Sequence, residues 1–307
     1  MKPGLGRPLK IGVQLPEVER EVRWPELRDM ARAAEEAGFD SLWVGDHLLF
    51  RDPDLPPRGP WEAWSVLAAL AAVTKRVHLG PLVASVSFHN PAMLAKKAAT
   101  IDEISGGRLI LGLGAGWNEP EYRAFGYPFD HRVDRFEEAF AIIRGLLRDG
   151  RVDFEGRYHQ APDCVLVPRP IRKGGPPLMI GTTGPRMLRL TARYADAWNA
   201  WFTWFGNRPE GLAAMREKVD AACAEVGRDP ATLARTVAVL VQVEGREVAR
   251  RGGPREKAAP LRGSTEELAH QLRAFATEGI SHIQLVVDPI TVRSIEGLGP
   301  IVQALAR

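Results

Sequence analysis

Short apolar runs alternate along this chain with longer stretches of helical periodicity, the pattern of successive βα units around a parallel sheet. Eight runs qualify as strands: Lys10–Leu15, Ser41–Val44, Val77–Val83, Arg108–Leu113, Leu178–Gly181, Ala197–Ala200, Thr236–Val243 and His282–Val287. They are short and mostly apolar at consecutive positions, as strands covered on both faces should be. Between them, apolar residues recur three and four apart. Leu27, Met30, Ala31, Ala34 and Ala37 form one such stripe, opened by Pro25 and closed by Gly38. Asn90-Pro91 starts and Gly106-Gly107 stops a helix around Met93–Ile104. Further helices are predicted over Trp61–Ala72, Arg132–Arg148, Pro185–Tyr194, Pro209–Val226, Thr265–Thr277 and Ser294–Ala306.

Eight strands alternating with eight helices predict one (β/α)8 TIM barrel over residues 1–307. An open doubly wound sheet with a small second domain uses the same units. Two features favour the barrel: Gln14-Leu15-Pro16 follows the first strand instead of a glycine fingerprint, and the alternation continues to the last residues without a composition break. One segment departs from it. Asp149–Pro177 carries five prolines and no long helical pattern, so it is an insertion between the fourth helix and the fifth strand, with a small hairpin at Phe154–Tyr158. A loop leading into a strand belongs on the face opposite the barrel's chemistry unless it wraps around.

Composition narrows the function classes. At 45% apolar and 26% charged the chain is an ordinary globular one, and 41 Lys and Arg against 38 Asp and Glu is too even a balance for a nucleic-acid binder. One segment is strongly basic: Arg246, Arg250, Arg251, Arg255, Lys257 and Arg262 stand against Glu247 and Glu256. Cys164 and Cys223 lie in unrelated contexts, which excludes a cysteine-held metal and a disulfide framework; no metal site is expected. The first residues lack the apolar core of a leader and no run suffices to span a membrane, so a cytoplasmic protein is expected. Phosphate-loop, zincin, dinucleotide and nucleophile-elbow motifs are absent.

Candidate chemistry therefore sits at the carboxyl ends of the strands. The second strand ends Gly45-Asp46-His47, a carboxylate beside an imidazole that can exchange a proton at neutral pH; the plainer alternative is a capped loop. The third ends in small polar residues, of which Ser85 is the candidate to face a ligand, although such serines also satisfy local backbone groups. The fourth ends Gly112-Leu113-Gly114-Ala115-Gly116-Trp117-Asn118, where glycines admit close approach of a ligand or a tight turn, and Trp117 offers a wall. After the fifth strand, Thr182, Thr183, Gly184, Arg186 and Met187 open a helix, giving either a phosphate cradle or a simple cap. Trp198, Trp201 and Trp204 cluster with Phe202 and Phe205 after the sixth strand as core, substrate wall or oligomer contact.

Taken together, Ala34–Trp43 with Asp46-His47, Glu62-Ala63-Trp64, His89-Asn90-Pro91, Gly106–Asn118, Gly184-Pro185 and Ala192–Asn199 make the chain resemble the luciferase-like monooxygenase superfamily. Its coenzyme F420-dependent oxidoreductase branch is the nearer likeness. The resemblance implies a cofactor across the carboxyl face, F420 first and FMN as the alternative. Asp46 would hydrogen-bond it and His47 would meet its reactive face as proton donor or acceptor. Ser85, Ala115, Gly116 and Asn118 would line the ring and ribityl chain; Thr182, Thr183, Gly184, Arg186 and Met187 would meet the phosphate-bearing tail. Trp117 and Trp201 would shape the substrate pocket.

The same resemblance implies a cis peptide at Leu82–Val83, and an oligoglutamate tail held by the basic segment. Trp117 and Arg51 replace a glutamate and a tryptophan of the family's sugar-phosphate dehydrogenases, which argues against that activity. The reading that results is an F420-dependent oxidoreductase acting on an alcohol, carbonyl or activated double bond, as a homodimer. The alternatives are an FMN-dependent monooxygenase of the same fold and a non-catalytic flavin-binding protein.

Overall fold

The computed structural model describes residues 9–52, 55–243 and 258–306. The first half of the chain forms β1 (Lys10–Gln14), α1 (Trp24–Glu36), β2 (Ser41–Val44), α2 (Ala63–Val73), β3 (His78–Pro81), β4 (Ala84–Ser85), α3 (Pro91–Ile104), β5 (Leu111–Gly114), α4 (Glu119–Phe125) and α5 (Arg132–Asp149). The second forms β6 (Arg151–Glu155), β7 (Gln160–Val165), β8 (Leu178–Gly181), α6 (Pro185–Tyr194), β9 (Ala197–Ala200), α7 (Ala213–Glu225), β10 (Ala234–Gln242), α8 (Thr265–Thr277), β11 (His282–Asp288), α9 (Val292–Gly297) and α10 (Gly299–Ala304). No described helix is long and apolar enough to cross a membrane.

Nine strands share one sheet in the order β3-β2-β1-β11-β10-β9-β8-β5-β4, paired in parallel. β3 and β4 are two parts of one chain segment, joined through Leu82–Val83, whose peptide bond is cis as the resemblance implies. The two ends of the strand order therefore meet, Leu79 bridges Leu109, and the sheet closes as the expected (β/α)8 barrel. Closure removes both sheet edges and gathers the loops after β1, β2, β4, β5 and β8 around one mouth.

Inside the barrel, Trp43 takes the space that two glycines leave. A Cβ on Gly12 would fall 2.7 Å from its Nε1 and one on Gly80 2.6 Å from its ring. Its Nε1 donates to Ser41 Oγ at 2.7 Å, and that hydroxyl lies 2.8 Å from His282 Nε2. Burial, aided by the charges of Lys10 and His78, pushes the His282 pKa down to about 3. The imidazole is thus neutral and shares a hydrogen bond with Ser41 in the barrel's polar floor.

Several boundaries differ from the periodicity for local reasons. α2 begins at Ala63 because the Glu62 carboxylate accepts the N–H groups of Trp64 and Ser65. The last helix is two, α9 and α10, which meet at Leu298 ahead of Pro300. The short α4 was not predicted. The insertion forms the antiparallel pair β6–β7, whose turn at Gly156–His159 overlaps the predicted hairpin at Phe154–Tyr158, with strands that extend further on both sides. Glu138 on α5 accepts the N–H groups of Arg157, Tyr158 and His159 and pins that turn. The insertion therefore wraps upward to the first half of α5, on the carboxyl side of the barrel.

Of the basic segment, residues Arg246 to Lys257 lie outside the described residues. Its far shoulder is anchored on the mouth side: Asn207 Nδ2 donates to the carbonyls of Leu240 and Ala259, and Leu261 bridges Val241.

Candidate active site

At the mouth, the loop after β2 presents Asp46 and His47, which face different partners. Asp46 is buried; its Oδ2 accepts Ser85 N–H at 2.9 Å and lies 2.8 Å from His89 Nε2. It therefore ties the rim of β2 to the rim of β4. The neighbouring imidazole is oriented by other carboxylates. His47 Nδ1 lies 2.8 Å from Glu121 Oε1, and its Nε2 lies 3.6 Å from Glu17 Oε1. Because an ionised carboxylate only accepts, Nδ1 carries a proton and Nε2 is the nitrogen left to exchange one.

Glu121 belongs to α4 and is 1% exposed, with its second oxygen accepting Leu48 N–H at 2.8 Å and Leu49 N–H at 3.2 Å. Asn118 Nδ2 adds a bond to the Leu49 carbonyl at 2.9 Å. One short helix thus fixes both the imidazole and the loop that carries it. Glu17, after β1, reaches His47 across Gly45. A Cβ at position 45 would fall 2.0 Å from Glu17 Oε1, so no other residue fits there without displacing the carboxylate.

Burial pushes the His47 pKa down, but Glu17, Glu121 and Asp46 together push it up further, and the net direction is up. The carboxylates therefore keep the imidazolium form to higher pH than an ordinary imidazole would. Phe50 and Trp117 flank the ring, with centroids 4.6 and 5.6 Å away, and Trp117 is 65% exposed at the mouth.

The third rim is built on Ser85 and Tyr122. Ser85 Oγ lies 2.7 Å from the buried Tyr122 hydroxyl, which also donates to the Ala115 carbonyl at 3.1 Å. Gly116 has φ of 78°, and a Cβ there would fall 1.6 Å from the Tyr122 hydroxyl. The other glycines of that run serve strand packing. A Cβ on Gly112 would meet the Pro81 carbonyl at 2.2 Å, and one on Gly114 would meet Val83 at 2.6 Å. Asp46, Ser85, Ala115 and Gly116 are thereby joined in one shelf of small and hydrogen-bonded residues.

Across β8, Thr182 is buried; its hydroxyl accepts Gly184 N–H at 3.3 Å, and its carbonyl accepts Trp198 Nε1 at 2.8 Å. Thr183 is exposed, Met187 is buried, and no side chain caps α6. Arg186 is engaged: Asp134 and Glu137 on α5 both pair with its guanidinium. Trp201 is half-buried and Trp204 exposed, while Trp198, Phe202 and Phe205 are core.

Sequence reasoning missed Glu17, Glu121, Tyr122 and His89 as members of this cluster. Gly45 and the run Asn118, Pro120, Gly126 were the available signals: a glycine beside a charged pair, and a short helix with its own start and stop. Among the described residues no group of His, Cys, Asp and Glu has the arrangement of a metal site.

A closed parallel barrel with an imidazole and its carboxylate partners gathered at the carboxyl mouth has the architecture of (β/α)8-barrel enzymes. The chain belongs to the luciferase-like monooxygenase family, whose model matches residues 9–278. Among curated relatives, it is 34% identical over 227 residues to a phthiodiolone/phenolphthiodiolone dimycocerosates ketoreductase of Mycobacterium tuberculosis, covering 67% of this chain and 58% of that protein. It is 32% identical over 220 residues to a 5,10-methylenetetrahydromethanopterin reductase of Archaeoglobus fulgidus, covering 72% of this chain and 60% of that one. The chain thus spans about three fifths of the length of these relatives. Its fold is that of an F420-dependent secondary alcohol dehydrogenase solved with an F420-acetone adduct: TM-score 0.81 at 23% identity, covering 97% of this chain and 99% of that one.

Proposed function

We propose that this protein is a coenzyme F420-dependent oxidoreductase that interconverts a small organic carbonyl or activated double bond with its reduced form. The observation that carries the reading is His47 held between Glu121 and Glu17 beside the shelf of Asp46, Ser85 and Gly116. The residues present fit a flat ring with an anionic handle: the shelf is small and half-buried, and a Cβ on Gly184, at the uncapped start of α6, would meet nothing within 4 Å. Asp46, Ser85, Ala115, Gly116 and Asn118 would hold the ring and its chain. Thr183, Gly184 and Met187 would hold the phosphate, chiefly through backbone N–H groups. Arg186 would join them by exchanging its partners Asp134 and Glu137.

When bound, F420 supplies a hydride at its central-ring carbon. This chain's residues do the rest. Phe50 and Trp117 shield the mouth from water, and His47 Nε2 gives the proton that a carbonyl oxygen needs on reduction or takes it back on oxidation. Glu121 keeps Nδ1 protonated throughout, so the ring exchanges at one nitrogen. The curated ketoreductase and the structurally similar alcohol dehydrogenase support the choice of carbonyl chemistry.

The test is turnover of a panel of ketones and secondary alcohols with F420, in the wild type and in His47→Ala. The variant should lose roughly 10²–10⁴ in kcat while cofactor binding is largely kept. Tight cofactor binding without turnover by the wild type would instead identify a flavin-binding protein.

A further inference from the structure

A cavity of about 400 Å³ opens beside the His47 cluster, beneath the loops that follow β1 and β2. Its walls include Val22, Leu27 and Val44, all buried, with Val66 from α2 and Trp61 at the edge. The indole is fixed there, since its Nε1 donates to the Val22 carbonyl at 2.6 Å. Glu17 borders the same cavity and approaches His47 Nε2 to 3.6 Å. The cavity therefore adjoins the carboxylate that stands next to the exchangeable imidazole nitrogen, and Gly45, two residues before His47, borders it as well.

Charge on the walls selects against anions. Arg20 is paired with Glu26, and Arg58 with Asp52 and the Val18 carbonyl. A carboxylate or phosphate entering the cavity would meet Glu17 and the Glu21–Arg23 pair, and would have to break one of the arginine pairs to find a cation. An alkyl chain meets valine, leucine and indole and displaces only water. The volume is roughly a dozen times what one water occupies in the liquid, far more than acetone fills.

We propose that this cavity receives the uncharged alkyl part of a ketone, or of the matching secondary alcohol, whose oxygen is presented to His47. The cavity then sets chain length and rejects anionic substrates. The inference rests on the hydride-transfer reading above and deepens it by naming the substrate class.

The experiment compares acetone, methyl hexyl ketone and a straight-chain keto acid of that length with reduced F420. It uses the full chain and the two cavity-filling variants Leu27→Phe and Val66→Phe. Tryptophan fluorescence is also titrated with methyl hexyl ketone in the absence of cofactor. Each buried methylene favours binding roughly threefold to fourfold, and methyl hexyl ketone carries five more than acetone, so kcat/KM should rise roughly 200- to 1,000-fold between the two. The keto acid should fall below acetone. Either variant should cut the preference for the long ketone by about 10-fold or more and weaken its cofactor-free binding.

Equal kcat/KM for the two ketones, or a preference untouched in whichever variant folds, overturns the proposal. If neither ketone is reduced, the titration decides. Saturable binding that the variants weaken supports the cavity assignment while the proposed reaction fails, and no saturable binding overturns the cavity assignment itself.

Discussion

His47 is held by two residues far from it in the chain, and its proton affinity follows from both. Replacing Glu121 by Gln keeps the shape of the side chain but removes the charge next to Nδ1. The His47 pKa should then fall, so the rate of carbonyl reduction declines at lower pH than in the wild type, and kcat drops on the order of 10-fold. A pH–rate profile of both proteins checks this. The stability effect has a definite sign. A pKa raised in the folded state stabilises below the unfolded value and is lost as pH rises through the folded one. The wild type's advantage over Glu121→Gln should therefore shrink toward alkaline pH in denaturation curves. Asp46, His47 and Ser85 were legible because each is a polar residue ending an apolar run. Glu17 and Glu121 were not, because a carboxylate in a loop or helix looks like any solvated charge until the fold brings it to the imidazole.

At the scale of elements, the mouth depends on how helices are tied at the opposite end of the barrel. Arg108, just ahead of β5, donates to the carbonyls of Ala71 and Thr74 at the end of α2, to Val77, and to Ser105 at the end of α3. It closes two helix termini and one strand entry with a single side chain. Arg108→Ala should cost on the order of 3 kcal/mol in chemical denaturation, since bonds from a charged donor count for more than neutral ones and several carbonyls are left unmet. The βα alternation made the eight barrel strands readable, and Gly106-Gly107 marked this corner correctly. The division of the third strand into β3 and β4 was not readable from periodicity, because Val77–Val83 is apolar on either side of it. The helix α4 was hidden by its length of 7 residues, too short to show a stripe.

The whole molecule is a closed barrel whose interior carries a neutral histidine. His282 has a pKa of about 3 in the folded protein against 6.5 ordinarily. Acidification below about pH 6.5 lets the unfolded chain bind a proton that the folded one refuses, so stability should decline from there toward pH 3. His282→Gln keeps a hydrogen-bonding group beside Ser41 and removes the titration. Its stability should depend less steeply on pH over that range, measured as urea midpoints.

Family and fold rest on the match over residues 9–278 and on the closed sheet, and the account of function adds one claim: the shelf at the mouth is built for a deazaflavin. The most direct measurement is a fluorescence titration of the purified apo-protein with F420 and FMN side by side. The protein should bind F420 saturably at micromolar or lower concentration, and more weakly when Asp46 is replaced by Ala. Binding of FMN alone in that range would contradict that claim.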